Sequence, residues 1–347
     1  MENNYLVPTG FVIKDYLDAV NMTQKEFAKR LGVSEKHISN LLKGKARLTE
    51  DMALKIEKIL VSVDAMYWMN YEIKYREFLA REEEKHKILG NIDLKQIEKR
   101  FRFKEVFKDL NWSLDKQAYE MLRILKIASF ELFDEVYDNF EVNFMEDGDD
   151  KETIAIWLGL AKEQVHIQNK ELNFKYKKEE FINSLPKLKK IALNDDYVKG
   201  LESARKLLNR NGIYLVILDA LEDSQISGAI SNYQGNPAIY LTCRFKAYVS
   251  VWFSLMHEIG HLLFHYDELA NVVSFEGKLD IDVSKNEKEA NQFAQDFFMR
   301  VEKYNEFVRK KDFSKKSIIK FSKIEGVNQS ILIARLKQDG YLENNQQ

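Results

Sequence analysis

The chain has 347 residues, of which 45% are hydrophobic and 31% are charged, and its formal net charge is −2. This composition is typical of a globular protein with room for two or three domains, and the near-neutral charge excludes a chain-wide basic field, so any DNA contact must be local. The single cysteine, Cys243, excludes an internal disulfide and a thiolate-rich metal site.

Helix is expected to dominate the first half of the chain, because no proline lies between Pro8 and Pro186 to interrupt it. The sequence contains neither a signal peptide nor an apolar run of about 18 residues. We therefore expect a cytoplasmic protein that makes no membrane contact.

Four short helices are predicted at the amino terminus, at residues 10–20, 24–31, 35–43 and 50–60. Thr23, Ser34 and Thr49 stand at N-cap positions, and Gly32 supplies a tight turn between the second and third helices. This pattern predicts an all-α helix-turn-helix domain over residues 1–70.

The third helix would be the recognition helix, and its outward-facing positions are Lys36, His37, Ser39, Asn40 and Lys43. An Asn amide can pair with an adenine edge, and Lys side chains can neutralise phosphates. Residues 1–70 hold ten Lys and Arg against nine Asp and Glu, which is a weak surplus for a DNA-binding domain. A module for dimerisation or partner docking is the alternative. The run Gln24–Ser34 resembles the XRE family, close to HigA-type antitoxins, and that resemblance implies DNA binding.

Residues 71–111 are predicted to be a helical linker, with the charge run at 81–87 forming a solvated face. A homodimer built on its Tyr and Trp residues is an alternative role. Residues 112–194 have helical apolar spacing and are predicted to be a helical domain. The acidic run at 146–150 lacks the alternating oxygen ligands of a calcium loop, so we interpret it as a turn before the helix at 151–168.

Three strands are predicted next, at residues 213–218, 226–233 and 238–243. They form a small antiparallel β-sheet in an otherwise helical region, so the fold class is mainly α, with an α+β domain at residues 195–312. The hairpin at 226–243 is a candidate edge on which a substrate peptide could add as a strand. A purely structural hairpin is the alternative.

The chemistry is concentrated in His257-Glu258-Ile259-Gly260-His261, which reads H-E-x-x-H. On a helix, His257 and His261 lie one turn apart, roughly 6 Å from each other, where both imidazoles can hold one Zn²⁺. Glu258 is rotated by about 100°, which is the position of a general base that reaches a water. The surrounding apolar residues predict a buried helix, in which unpaired His and Glu would be costly. A core helix with hydrogen-bonded histidines is the alternative.

A third metal ligand is expected on the helix that follows. Ser284 and Glu287 have capping-box spacing, which would commit Glu287 to the local backbone. Glu289 borders the buried face of that helix, so we predict Glu289 as the third ligand and keep Glu287 in reserve. An exposed carboxylate is the alternative for Glu289. Candidate oxyanion donors, by proximity in sequence alone, are Tyr240, Tyr266, His265 and Asn291.

The tail at residues 313–347 again resembles a helix-turn-helix, with helices at Lys315–Ile324 and Asn328–Lys337. Residues 301–347 hold ten Lys and Arg against six Asp and Glu. The tail is interpreted either as a binding unit for nucleic acid, a signal or the substrate, or as a basic packing unit.

The runs Trp252–His265 and Glu287–Ala294 resemble the ImmA/IrrE family of zinc metallopeptidases, over most of residues 195–340. The resemblance implies a zincin-like domain with Zn²⁺ as cofactor. It further implies a site-specific, gluzincin-like endopeptidase that cleaves a partner regulator, such as a repressor or antitoxin. The alternative is a non-proteolytic or latent transcription regulator with a structural or sensory zinc domain. A general digestive protease fits a helix-turn-helix protein poorly.

Overall fold

The computed structural model describes residues 6–90, 93–137, 150–170, 172–242, 247–266, 271–275 and 285–343, with only the backbone described for 85–90 and 271–275. The chain divides into two compact units, Met1–Asp93 and Leu94–Gln347. Within the described ranges, no helix combines the length and the apolar character that a membrane span requires.

The first unit consists of helices, as its sequence predicts: α1 (Thr9–Ala19), α2 (Gln24–Leu31), α3 (Glu35–Leu42), α4 (Glu50–Glu57) and α5 (Ala65–Gly90). The side chains of Thr23, Ser34 and Thr49 each accept a backbone N–H at the predicted N-cap, so the three caps are confirmed. The helices surround one apolar core, and Trp68 of α5 is buried in it.

The second unit begins with helices and continues through a sheet to a second helical set. The first helices are α6 (Leu94–Arg100), α7 (Phe103–Val106), α8 (Leu114–Leu125), α9 (Phe133–Tyr137, after a 3₁₀ turn at Phe130–Leu132), α10 (Lys151–Gln168), α11 (Lys178–Ile191) and α12 (Tyr197–Arg210). The strands are β1 (Tyr214–Leu218), β2 (Ile226–Tyr233), β3 (Asn236–Thr242) and β4 (Asn271–Phe275). The later helices are α13 (Tyr248–Phe264), α14 (Lys285–Asp296), α15 (Val301–Arg309), α16 (Lys315–Glu325) and α17 (Gln329–Gln338).

Three sequence predictions concern positions outside the described residues: Cys243, Ser284 and most of the acidic run. The last residue of that run, Asp150, is described, and its carboxylate caps α10 by accepting the N–H of Thr153 at 2.6 Å. The helix therefore starts where the sequence predicts.

The sheet has the order β1-β3-β2-β4. Strand β2 pairs antiparallel with both β3 and β4, whereas β1 pairs parallel with β3. The predicted small sheet is present, but one of its three pairings is parallel. Strand β1 lies next to β3 and not next to β2, and β1 and β3 run in the same direction.

The expectation of a free edge on the hairpin at 226–243 is wrong. Strand β1 covers β3 and β4 covers β2, so both hairpin strands are internal and the sheet edges are β1 and β4. Strand β4 has only five residues and no recognisable strand pattern before it, and the neighbour of β1 depends on contacts far along the chain.

Helix α13 packs against one face of the sheet, and the same core extends into the carboxyl-terminal helices. Ile230 and Ile239 contribute from the sheet, and Trp252 and Leu255 contribute from α13. The tail adds a further set of buried apolar side chains: Ile318, Phe321, Val327, Ile331, Leu332 and Leu336. The candidate site is thus built on a helix that is covered on two sides.

Candidate metal centre

Helix α13 carries the H-E-x-x-H run through the core of the second unit. His257 is 6% exposed, Glu258 is 0% exposed and His261 is 1% exposed. The two imidazoles face each other one turn apart, and their Nε2 atoms lie 3.0 Å apart. The predicted helix and the predicted convergence of the two histidines are therefore both present.

The carboxylate that approaches these imidazoles is that of Glu287. Its Oε2 lies 3.2 Å from Nε2 of His257, and its Oε1 lies 3.0 Å from Nε2 of His261. One ligand atom from each of the three residues fits within 4.8 Å of the others. The reserve candidate therefore stands at the position that we expected Glu289 to occupy.

Glu289 is placed elsewhere, with Oε2 3.1 Å from Nε2 of His265 and Oε1 3.6 Å from Nζ of Lys285. Two residues along a helix correspond to a rotation of about 200°, so Glu287 and Glu289 leave α14 on different sides and only one can face the histidine pair. The prediction of Glu289 is corrected accordingly. It depended on a local capping signal, whereas the contact between the helices decides which carboxylate reaches the site.

A close approach of two helix backbones brings α14 to α13. A Cβ atom added at Gly260 would lie 2.9 Å from Cα of Ala290 and 3.3 Å from its Cβ. No larger residue fits at Gly260 without separating the helices. This contact lies one residue before His261 and three residues after Glu287, so it sets the spacing between those two ligand candidates.

Both candidate histidines have hydrogen-bond partners at Nδ1. Nδ1 of His257 lies 2.9 Å from Oδ1 of Asn291, an acceptor, so we place the proton on Nδ1. Nδ1 of His261 lies 3.2 Å from Nδ1 of His265, whose Nε2 faces the carboxylate of Glu289. A neutral His265 that donates from Nε2 accepts at Nδ1, so His261 donates from Nδ1.

The consequence of these tautomers is that both Nε2 lone pairs point toward Glu287. Partners of this kind orient metal-binding histidines in proteins and set which nitrogen is free to coordinate. Two neutral imidazole nitrogens and one carboxylate oxygen form the donor set of many zinc sites with an open fourth position. The residues present therefore fit Zn²⁺.

The charges at the site also suit a cation. Burial would raise the pKa of the Glu287 carboxyl, yet the adjacent imidazoles of His257 and His261 lower it to about 2. Burial lowers the pKa of His261. At His257 burial acts in the same direction, but the adjacent carboxylates of Glu287 and Glu258 outweigh it and raise the pKa. Glu287 is thus an ionised, largely buried anion at neutral pH.

Glu258 leaves α13 toward the sheet, where its carboxylate lies against Gly228 of β2.

The candidate oxyanion donors lie in different places. Tyr240 stands between Ile239 and Leu241 on β3, and both of these face the core around α13. Because side chains alternate along a strand, that of Tyr240 is on the opposite face of the sheet. Its hydroxyl lies 3.2 Å from Oγ of Ser231, and burial raises its pKa to about 12. Asn291 is within hydrogen-bond distance of His257, and His265 is within hydrogen-bond distance of His261. The ring of Tyr266 packs against that of Tyr176.

The predicted DNA-contacting residues lie together on α3 of the first unit or, for Lys43, at its C-cap. Lys36, His37 and Lys43 are exposed, and Ser39 and Asn40 are half-buried. Ile38, Leu41 and Leu42 occupy the opposite side and are buried. The helix therefore presents a continuous polar face to solvent.

Comparisons with known proteins match the two units separately. Residues 13–60 match the helix-turn-helix family model, and residues 210–318 match the model described as the IrrE N-terminal-like domain, a peptidase family. The predicted architecture is thereby confirmed: the chain combines a helix-turn-helix domain with an IrrE N-terminal-like domain.

Two curated relatives resemble only part of the chain. The uncharacterized HTH-type transcriptional regulator YddM of Escherichia coli K12 is 36% identical over 63 residues, which are 18% of this chain and 66% of the relative. Virulence-associated protein A' of Dichelobacter nodosus is 32% identical over 66 residues, 19% of this chain and 57% of the relative. The chain thus spans less than two thirds of the length of either relative.

Proposed function

We propose that the second unit is a zinc-dependent endopeptidase, that the first unit binds DNA, and that the substrate is a partner regulator of the repressor or antitoxin kind. The observation that carries this proposal is the convergence of His257, His261 and Glu287 on one helix pair, with Glu258 buried beside them. A buried base has no purpose in a site that only holds a metal for stability.

In this proposal Nε2 of His257, Nε2 of His261 and the carboxylate of Glu287 would hold Zn²⁺. When bound, the ion supplies a Lewis acid that polarises a peptide carbonyl and acidifies water. Glu258 accepts a proton from the attacking water and delivers it to the departing amine. Asn291 and His265 keep the two imidazoles in the tautomers that leave Nε2 free, and the apolar core keeps bulk water from the proton transfer.

The decisive experiment is a mass-spectrometric search for new protein termini in native cells that carry either the wild-type chain or Glu258→Gln. We expect one or a few cuts in a regulatory protein that disappear in the variant, while the purified variant keeps its zinc. A cut that survives Glu258→Gln unchanged would remove the assigned role of Glu258. If no cut depends on Glu258, with zinc bound and a specific DNA site occupied, the protein is a non-proteolytic regulator.

The ligand assignment is tested by a matched pair of variants on the same helix, Glu287→Gln and Glu289→Gln. Removal of a ligand lowers zinc affinity by more than removal of a group that orients a ligand, which is worth about 10- to 100-fold. We expect a loss beyond 100-fold for Glu287→Gln and a loss no larger than that range for Glu289→Gln, because Glu289 contacts His265 and reaches His261 only through it. Both losses can be measured by competition with a chromophoric chelator. The reverse order would make Glu289 the ligand.

A further inference from the structure

The carboxylate of Glu258 is in contact with a stretch of β2 that has no side chain. A Cβ atom built at Gly228 would lie 2.5 Å from Oε1 of Glu258 and 3.0 Å from both its Cδ and its Cγ. Carbon atoms that are not bonded prefer separations of about 3.5–4.0 Å. The space that an alanine methyl would take at this position is therefore already filled by the side chain of Glu258.

Neighbouring strands restrain β2 at this contact. Gly228 is paired with Leu241 of β3 on one side and with Ser274 of β4 on the other, where the β4 pairing resumes after a register shift between Ile226 and Gly228. The entry to β2 is fixed as well, because Thr242 Oγ1 donates to the carbonyl of Ile226 at 2.8 Å and Ser224 Oγ accepts the N–H of Ile226 at 3.2 Å. The backbone at Gly228 is thus held from both neighbours and at the strand start.

The helix is restrained as well. Leu255 and Ile259, on either side of Glu258 along α13, are completely buried in the core, and Leu262 is 1% exposed. Close-packed protein interiors transmit strain, and an added methyl group in them is destabilising. An added atom at Gly228 must therefore be accommodated by rotation of the Glu258 side chain.

We propose that Gly228 is a positioning residue, and that the bare backbone of β2 at this point fixes where the Glu258 carboxylate stands relative to the histidine pair. This inference rests on the proposed role of Glu258. A misplacement of a reacting group by about 1 Å can cost about 100-fold in rate, so Gly228 acts on the reaction without touching the substrate or the metal.

The experiment combines Gly228→Ala with Glu258→Ala in the full-length protein. In the wild-type background, Gly228→Ala lowers Tm or prevents folding. In the Glu258→Ala background, where the clashing atoms are gone, it lowers Tm by less than half as much. Equal shifts in both backgrounds, failure to fold in both, or no shift in either would overturn the proposal.

Activity gives the second readout, with the regulator cut in the Glu258-dependent manner as substrate. Gly228→Ala lowers kcat by about tenfold or more and leaves KM and zinc stoichiometry unchanged. The matched control is Ala229→Ser, which adds one heavy atom to the opposite face of the same strand and keeps kcat. A kcat unaffected by Gly228→Ala, or one lowered equally by Ala229→Ser, would contradict positioning by Gly228. If no cut depends on Glu258, the proposed function fails, and the Tm comparison still decides whether Gly228 fixes Glu258.

Discussion

The chain contains the same local motif twice, in α2–α3 of the first unit and in α16–α17 of the second. Each pair has a left-handed glycine after its first helix, Gly32 in one and Gly326 in the other, and an N-cap residue two positions later, Ser34 or Asn328. The apolar positions that contribute to the two cores also match. The corresponding residues are Phe27 and Phe321, Val33 (partly buried) and Val327, Ile38 and Leu332, and Leu42 and Leu336.

The two motifs differ in what their second helix presents. The outward face of α3 carries Lys36, His37 and Asn40, whereas the corresponding positions of α17 are Ser330, Ile331 and Ala334. Ile331 is 8% exposed and belongs to the core that surrounds α13. The backbone motif alone therefore does not specify DNA contact. Side chains at a few positions decide whether the second helix faces solvent or supports a neighbouring helix.

The largest loss of stability is expected from Leu332→Ala and Ile38→Ala, which each create a cavity in the core of one motif. Both residues are completely buried, so each change should cost about 2–5 kcal/mol. We expect Leu332→Ala to destabilise the unit that holds the metal site and Ile38→Ala to destabilise the helix-turn-helix unit. Zinc retention and DNA binding, each followed during heating, report on the two units separately.

A loss of DNA binding in Leu332→Ala with unchanged zinc retention would contradict the proposed difference between the two motifs. It would mean that α17 contributes to DNA binding and not to the packing of α13.

A smaller effect is expected from changes on the two helix surfaces. Asn40→Ala should weaken specific DNA binding by about 1–3 kcal/mol if its amide pairs with a base. Lys36→Glu should weaken binding to every DNA sequence. It should also make the slope of log affinity against log salt concentration shallower by about one unit, which corresponds to one phosphate contact. The corresponding change on α17, Ser330→Glu, should leave DNA affinity unchanged.

These affinities can be measured by fluorescence anisotropy on a duplex selected from a random library, at several salt concentrations. Equal losses for Lys36→Glu and Ser330→Glu would show that both motifs contact DNA.

The smallest effect is expected on the pH dependence of stability. It involves a position at which the two motifs differ, which is Leu31 in the first and Glu325 in the second. Glu325 accepts from Nε of Arg300 at 3.1 Å and from Nη2 at 2.6 Å, and these hydrogen bonds hold the pKa of its carboxyl below the usual 4.5. A lowered pKa adds stability that is complete above the usual value and is lost as pH falls through the lower folded value.

We therefore expect the Tm of the second unit to fall more steeply below pH 4.5 in the wild-type chain than in Glu325→Leu, which copies the first motif at this position. Differential scanning calorimetry between pH 3 and pH 7 measures this difference. Parallel curves for the two proteins would show that the ion pair with Arg300 contributes nothing to the acid response.

The sequence predicts the features that local chemistry determines. Thr23, Ser34 and Thr49 cap their helices where hydroxyl side chains at helix starts are expected to do so. The spacing of His257 and His261 predicts their convergence, because one helical turn separates them in any α-helix.

Contacts between distant segments were not predictable in this way. The choice between Glu287 and Glu289 depends on which side of α14 meets α13, and a capping signal in the sequence favours the wrong side. The hairpin edge was assigned wrongly for the same reason, because strand order is set by partners far along the chain. The orientation of α17 is likewise visible only once its neighbour is known.

Gly260 and Ala290 bring two helix backbones together with only the methyl group of Ala290 as a side chain at the contact. The spacing of the two helices beside His261 and Glu287 is therefore set by main-chain atoms and one methyl group, which have no alternative rotamers. Calcium binds oxygen at about 2.3–2.6 Å and takes six to eight ligands, so it would require the helices to separate. We therefore expect the helix contact, together with the three candidate ligands, to favour a small tetrahedral ion.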